Sequence, residues 1–215
     1  MLVIIANLIF TFEPVKDIFS KKNMGRKISI KDLLEKSNLH VKRITLEVGI
    51  LNYELLTTRT SPESWTVTQT IQHLNNTFDH YFPKIEEKIH LAPKSSNESG
   101  MYKASILVGA FSNSQRPKNG KRKFKIKTFS FLVPDNELDP AEVIARFVSN
   151  HREFDKYIEK GLTRDISKVK VDSAVGALLK FRLPECFDFL LNHEERHLRQ
   201  IDEILENVEE TKART

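Results

Sequence analysis

Cysteine is almost missing from this chain. Cys186 is the only one, so no disulfide framework can form and a reducing compartment, the cytoplasm, is expected. Glycine (7 residues) and proline (8) are scarce in a chain of 215, which argues against a turn-rich β fold and for helices. Long hydrophobic runs are lacking as well. The apolar start, residues 1–10, is shorter than the ~20 residues that cross a bilayer, and Glu13, Pro14 and Lys16 follow it directly. It carries neither the basic leader nor the small-residue cleavage site of a secretory signal, so no membrane partner is expected. Acidic residues are absent from one stretch: none lies between Glu98 and Asp135. Lys103, Arg116, Lys118, Lys121, Arg122, Lys123, Lys125 and Lys127 all fall there, so the net charge of +5 belongs to a local segment. Such a run reads first as a solvated connection. Contact with nucleic acid or another anionic partner is its less favoured use.

What is present is helical periodicity. Ser29 is an N-cap with Asp32 at N3, and Ile30, Leu33, Leu34, Val41, Ile44, Val48, Leu51 and Leu55 extend a first helix to about residue 56. A second opens near Trp65 and Thr66, with Val67, Ile71, Leu74, Phe78, Phe82, Ile85 and Ile89 on one face and Pro83 as an expected kink or stop. From residue 92 to 138 the period is lost, which suggests a long crossover, with residues 123–127 as a short extended piece. Asp139, Pro140 and Glu142 start a third helix that Gly161 is expected to stop. Residues 172–181 suggest a short helix. A fourth helix runs from about Pro184 to Val208. The expected organisation is an N-terminal extension over residues 1–27, with Met24 as a second methionine, a helical domain over 28–210, and a frayed tail over 211–215.

The fourth helix carries the chemistry. His193 and His197 are four apart, so their rings project from one helix face. They fall on the stripe Cys186, Leu190, His193, His197, Ile201, Ile204, Val208. Two imidazoles make a poor site, because a divalent ion takes at least three protein ligands. The string His193-Glu194-Glu195-Arg196-His197 also fits H-E-x-x-H, the zincin pattern with its glutamate as general base. Only eighteen residues follow, however, and Leu198-Arg199-Gln200 replaces the metzincin continuation. A zincin-type metallohydrolase is therefore a minor alternative, and Glu194 and Glu195 read as solvated charges. His73, His80 and His151 are open as a third ligand. Periodicity makes His151 the most buried and sets His73 beside Thr66, Thr70 and Thr77, away from its helix's apolar stripe. His40 reads as an ordinary core histidine.

Two segments carry a resemblance. Trp65-Thr66-Val67 with His73-Leu74 eight residues after the tryptophan, and the ending H-x-x-x-H-L-x-Q-I from His193 to Ile201, resemble the DinB-like/YfiT-like metalloenzyme superfamily over roughly residues 28–208. The resemblance implies an all-α, up-up-down-down four-helix bundle with the long crossover between helices 2 and 3. It implies one divalent ion, nickel or zinc, held by His73, His193 and His197. His151 and His80 are then candidates for contact near the ion or its substrate, and no catalytic residue is assigned. The implied activity is that of a metal-dependent enzyme on a small-molecule substrate, such as an S-transferase using a low-molecular-weight thiol, in a homodimer. The alternative from another class is a non-catalytic stress-response or binding module whose basic crossover docks an anionic partner.

Overall fold

Ser29 caps the first helix as its position predicts, its Oγ accepting the Asp32 amide at 3.2 Å. The computed structural model describes residues 26–95, 99–118, 128–174 and 176–213. Residues 1–25 of the expected N-terminal extension and the 123–127 piece, with most of the basic run, lie outside these. The described chain opens on a short strand, β1 (Lys27–Ser29), that feeds α1 (Ile30–Arg43). One helix does not continue to residue 56. It loosens into a π turn at Ile44–Val48 and ends at Gly49; Asn52, accepting the Leu55 amide, caps a separate short helix, α2 (Tyr53–Thr57). α3 (Val67–Ile89) follows, started by a capping box in which Thr66 and Gln69 satisfy each other's amides, and it passes uninterrupted through Pro83.

The crossover holds more structure than its composition suggests. β2 (Met101–Lys103) pairs antiparallel with β1, Tyr102 opposite Ile28. Gly100 precedes it at φ +57°, a left-handed position that suits glycine, and its carbonyl accepts the Ile30 amide at 2.9 Å. α4 (Ile106–Gln115) then lies along the last helix. α5 (Pro140–Glu159) starts as expected, with Asp139 accepting the Glu142 amide. Gly161 does not act as a left-handed stop. It sits in a 3₁₀ turn, Lys160–Leu162, where a Cβ would come within 2.6 Å of Ile30 Cδ1, so close packing selects the glycine.

Residues 172–181 are not helical. They belong to an antiparallel hairpin, β3 (Lys170–Ser173) and β4 (Gly176–Arg182), with Val171 opposite Phe181. Val171, Ser173 and Phe181 are buried while Lys170 and Lys180 are exposed, a period of two that a helix cannot satisfy. α6 (Leu183–Ala213) completes the chain in 31 residues, continuing past the expected end at 208.

α1 packs on α5 and α6, and α3 packs on the same two helices. The apolar core falls into two clusters. One holds Leu33, Phe78, Ile85, Phe154, Val171, Phe181 and Phe187, the other Ile44, Ile71, Leu74, Phe147, Leu198 and Ile201. Along the four long helices a layer of buried polar side chains separates them: Ser37 and His40, Asn75, His151, and Glu194 with His197. The site is built in this layer. Among the described residues no helix is long and apolar enough to cross a membrane.

Candidate metal centre

The capping box fixes the start of α3, and His73 lies less than two turns beyond it. Its Nδ1 is 2.8 Å from the Leu132 carbonyl, so that nitrogen carries the proton and donates, leaving Nε2 with a free lone pair. That Nε2 is 3.1 Å from Nε2 of His193 on α6. One turn further along α6, His197 donates from Nδ1 to Gln200 Oε1 at 3.1 Å, which again leaves Nε2 free. The ring centroids of the three lie 4.5–5.3 Å apart, and one ligand atom from each falls within 4.8 Å of the other two. Trp65 closes the group from one side, its ring 5.0 Å from His73.

Burial is the main cause that lowers the pKa of each of these histidines. For His193 the nearby His73 and Arg196 add to it and bring the value down to about 3, and the other two rings and Arg196 act on His197 in the same sense. The group is therefore neutral at physiological pH, the protonation state in which imidazole binds a metal. Two lone pairs held to converge by carbonyl and amide acceptors, beside a third ring, fit a divalent ion. The hydrogen bonds at the far nitrogens of His73 and His197 are the kind that orient metal-ligating histidines.

Beside the three rings opens a cavity of about 520 Å³, within the range of small-molecule sites. His73, His193 and His197 line it, with Trp65, Arg196 and Gln200 around them. In the sequence Gln200 stands out only as part of the H-x-x-x-H-L-x-Q-I ending. Its spacing, three residues after His197 on the same helix, is the signal that could have given its role.

The other titratable candidates lie elsewhere. His151 and His80 are not among the cavity's lining residues. His80 is partly exposed, stacked on Phe131 and 2.7 Å from Lys84 Nζ. His151 is buried against Ser37, whose hydroxyl is 2.7 Å from its Nδ1 and donates to Asp155. Glu194 is not a solvated charge: it is 2% exposed. One of its oxygens is 2.6 Å from His40 Nδ1 and 3.3 Å from His151 Nε2. Burial alone would raise its pKa, but His151 and His40 outweigh this and hold it down at about 2. Held by that pair, Glu194 is not placed as a zincin base. Glu195 is partly exposed and bonded to Lys36. Cys186 is fully buried, and burial pushes its thiol pKa upward, so it is no nucleophile.

The family model of the DinB superfamily matches residues 42–201, which include all three rings of the cluster. No curated protein matches the chain, and no solved structure matches it.

Proposed function

The chain belongs to the DinB superfamily, and we propose that it is a metal-dependent enzyme holding one divalent ion, nickel or zinc, on His73, His193 and His197. The observation that carries this reading is the convergence of the three imidazoles, from two helices, within 4.8 Å of one another. A bound ion would lower the pKa of a coordinated thiol and so supply a nucleophile at neutral pH, chemistry suited to a low-molecular-weight-thiol S-transferase acting on a small molecule. The chain's own residues prepare that site. Leu132 and Gln200 fix the tautomers of His73 and His197, Trp65 shields one side, and the cavity admits the substrate. An up-up-down-down order of the four long helices, a cytoplasmic location and a homodimer belong to the same reading. The cytoplasmic location is supported by the single, buried cysteine.

Metal analysis of protein purified without a nickel column tests the proposal. About one equivalent of nickel or zinc per chain is expected, reduced to a small fraction by His193→Ala. Less than about a tenth of an equivalent in the unaltered protein, unchanged by His193→Ala, would overturn it.

A further inference from the structure

The cavity extends away from the three histidines along a wall of rings. From His193 the contacts pass to Phe189, with centroids 5.8 Å apart and planes within 18°. From Phe189 they pass to Phe181 at 5.0 Å, to Phe111 at 5.5 Å and to Tyr81 at 6.3 Å. These four aromatic residues all line the cavity, and each comes from a different element: α6, β4, α4 and α3. At the hairpin end the wall meets a polar group. Ser173, the last residue of β3, lines the cavity and is 3% exposed, yet its Oγ has no hydrogen-bond partner among the described residues. The next residue, Ala174, donates its amide to the Tyr81 hydroxyl at 3.0 Å, and among the described residues no acceptor takes the phenol proton. A buried hydroxyl without a partner is a cost to the fold that a ligand can remove.

We propose that this arm binds an aromatic ring whose far end carries a hydroxyl or carbonyl, which hydrogen-bonds Ser173 Oγ and the Tyr81 hydroxyl. The substrate class is thereby an aryl compound that lies along Phe189, Phe181 and Phe111 with its reacting end at the histidines. Flat rings suit this wall because offset and edge-to-face packing favour aromatic over aliphatic groups of similar size. The two hydroxyls add selectivity, since a site built to hydrogen-bond a polar group discriminates against the analogue that lacks it. The proposal rests on the metal-centre reading only for which end of the ligand reacts.

The test uses 3-(4-hydroxyphenyl)propanoate, 3-phenylpropanoate and 3-cyclohexylpropanoate, titrated into metal-free and into zinc-loaded protein and followed by amide chemical shifts. Shifts are expected at residues 171–174, 181 and 189 in both forms, with the cyclohexyl probe weakest. The hydroxyl should improve affinity about fivefold in the unaltered protein and clearly less in Ser173→Ala, where only the Tyr81 hydroxyl remains to bond it; an undiminished gain in Ser173→Ala would remove Ser173 from the arm. Phe111→Ala, which alters a partly exposed side chain, should weaken both aryl probes. Unmoved hairpin amides, or equal affinity for the cyclohexyl probe, would overturn the arm while leaving zinc binding intact. Failure to take up zinc, with the hairpin shifts preserved, would overturn the metal-centre reading and leave the arm standing.

Discussion

Replacing Glu194 by alanine removes a carboxylate that His40 and His151 both face inside the protein. Taking one partner from a buried charged group typically costs about 3–5 kcal/mol, so Glu194→Ala should lower the urea midpoint strongly. An unchanged midpoint would show that the cluster does not hold the bundle together. The burial of Glu194 was legible only to a reading that allowed α6 a wider buried arc. Phe187, Leu191, Glu194, Leu198 and Ile201 form a second stripe at steps of three and four, and all five are buried. α6 touches α1, α3 and α4, so it buries far more than the single stripe through the histidines. Glu185, in the first turn of α6, is a second buried carboxylate, held by hydrogen-bond donors. It is 3% exposed and accepts the Ser105 amide and hydroxyl and the Arg182 amide and guanidinium. Burial works to raise its pKa, but the hydrogen bonds from Arg182 and Ser105 prevail and lower it. A carboxylate whose folded pKa is depressed stabilises fully above its unfolded value, and that contribution fades as pH falls through the folded value. Unfolding free energy should therefore drop below about pH 4.5, with a shallower slope in Glu185→Gln, as denaturant titrations at stepped pH would show.

At the scale of elements, caps were legible and the hairpin was not. Ser29 and Asp139 announce their helices because a side-chain oxygen before an apolar-periodic run has few other uses. Residues 170–172 and 179–182 alternate, but the apolar run between them, which holds Gly176, fits a poor helix nearly as well as a strand. The break after Gly49 was hidden because Leu51 and Leu55 keep the helical spacing across it. The third ring was hidden for a related reason. His73 lies off the Ile71, Leu74 and Phe78 stripe, so periodicity favoured His151, and only the resemblance singled His73 out. The cap on α3 has a measurable consequence. Thr66 Oγ accepts the Gln69 amide at 3.0 Å, and Thr66→Ala should cost about 1 kcal/mol in chemical denaturation, with Thr66→Ser close to the unaltered protein. Equal stability of all three would mean that packing around Val67 and Ile71, not the cap, fixes the helix start.

For the whole molecule, the proposed ion would join helices that the apolar core holds only on either side of it. His73 stands on α3 and His193 and His197 on α6, inside the polar layer between the two core clusters. A ligand that binds only the folded chain stabilises it by about 2.7 kcal/mol when its free concentration is a hundred times its dissociation constant. In a domain of this size each kcal/mol moves the melting temperature by about 2–4 °C. Zinc or nickel added to chelator-stripped protein should therefore raise the Tm by about 5–10 °C in a differential scan. His73→Ala, His193→Ala and His197→Ala should each remove most of that shift. His80→Ala should keep it, because His80 is partly exposed and does not line the cavity. A shift of the same size in all four variants would place the ion elsewhere and break the link between the cluster and the fold. A shift lost with His193→Ala and His197→Ala but kept with His73→Ala would confine the ion to α6, leaving α3 and α6 joined by side-chain packing alone.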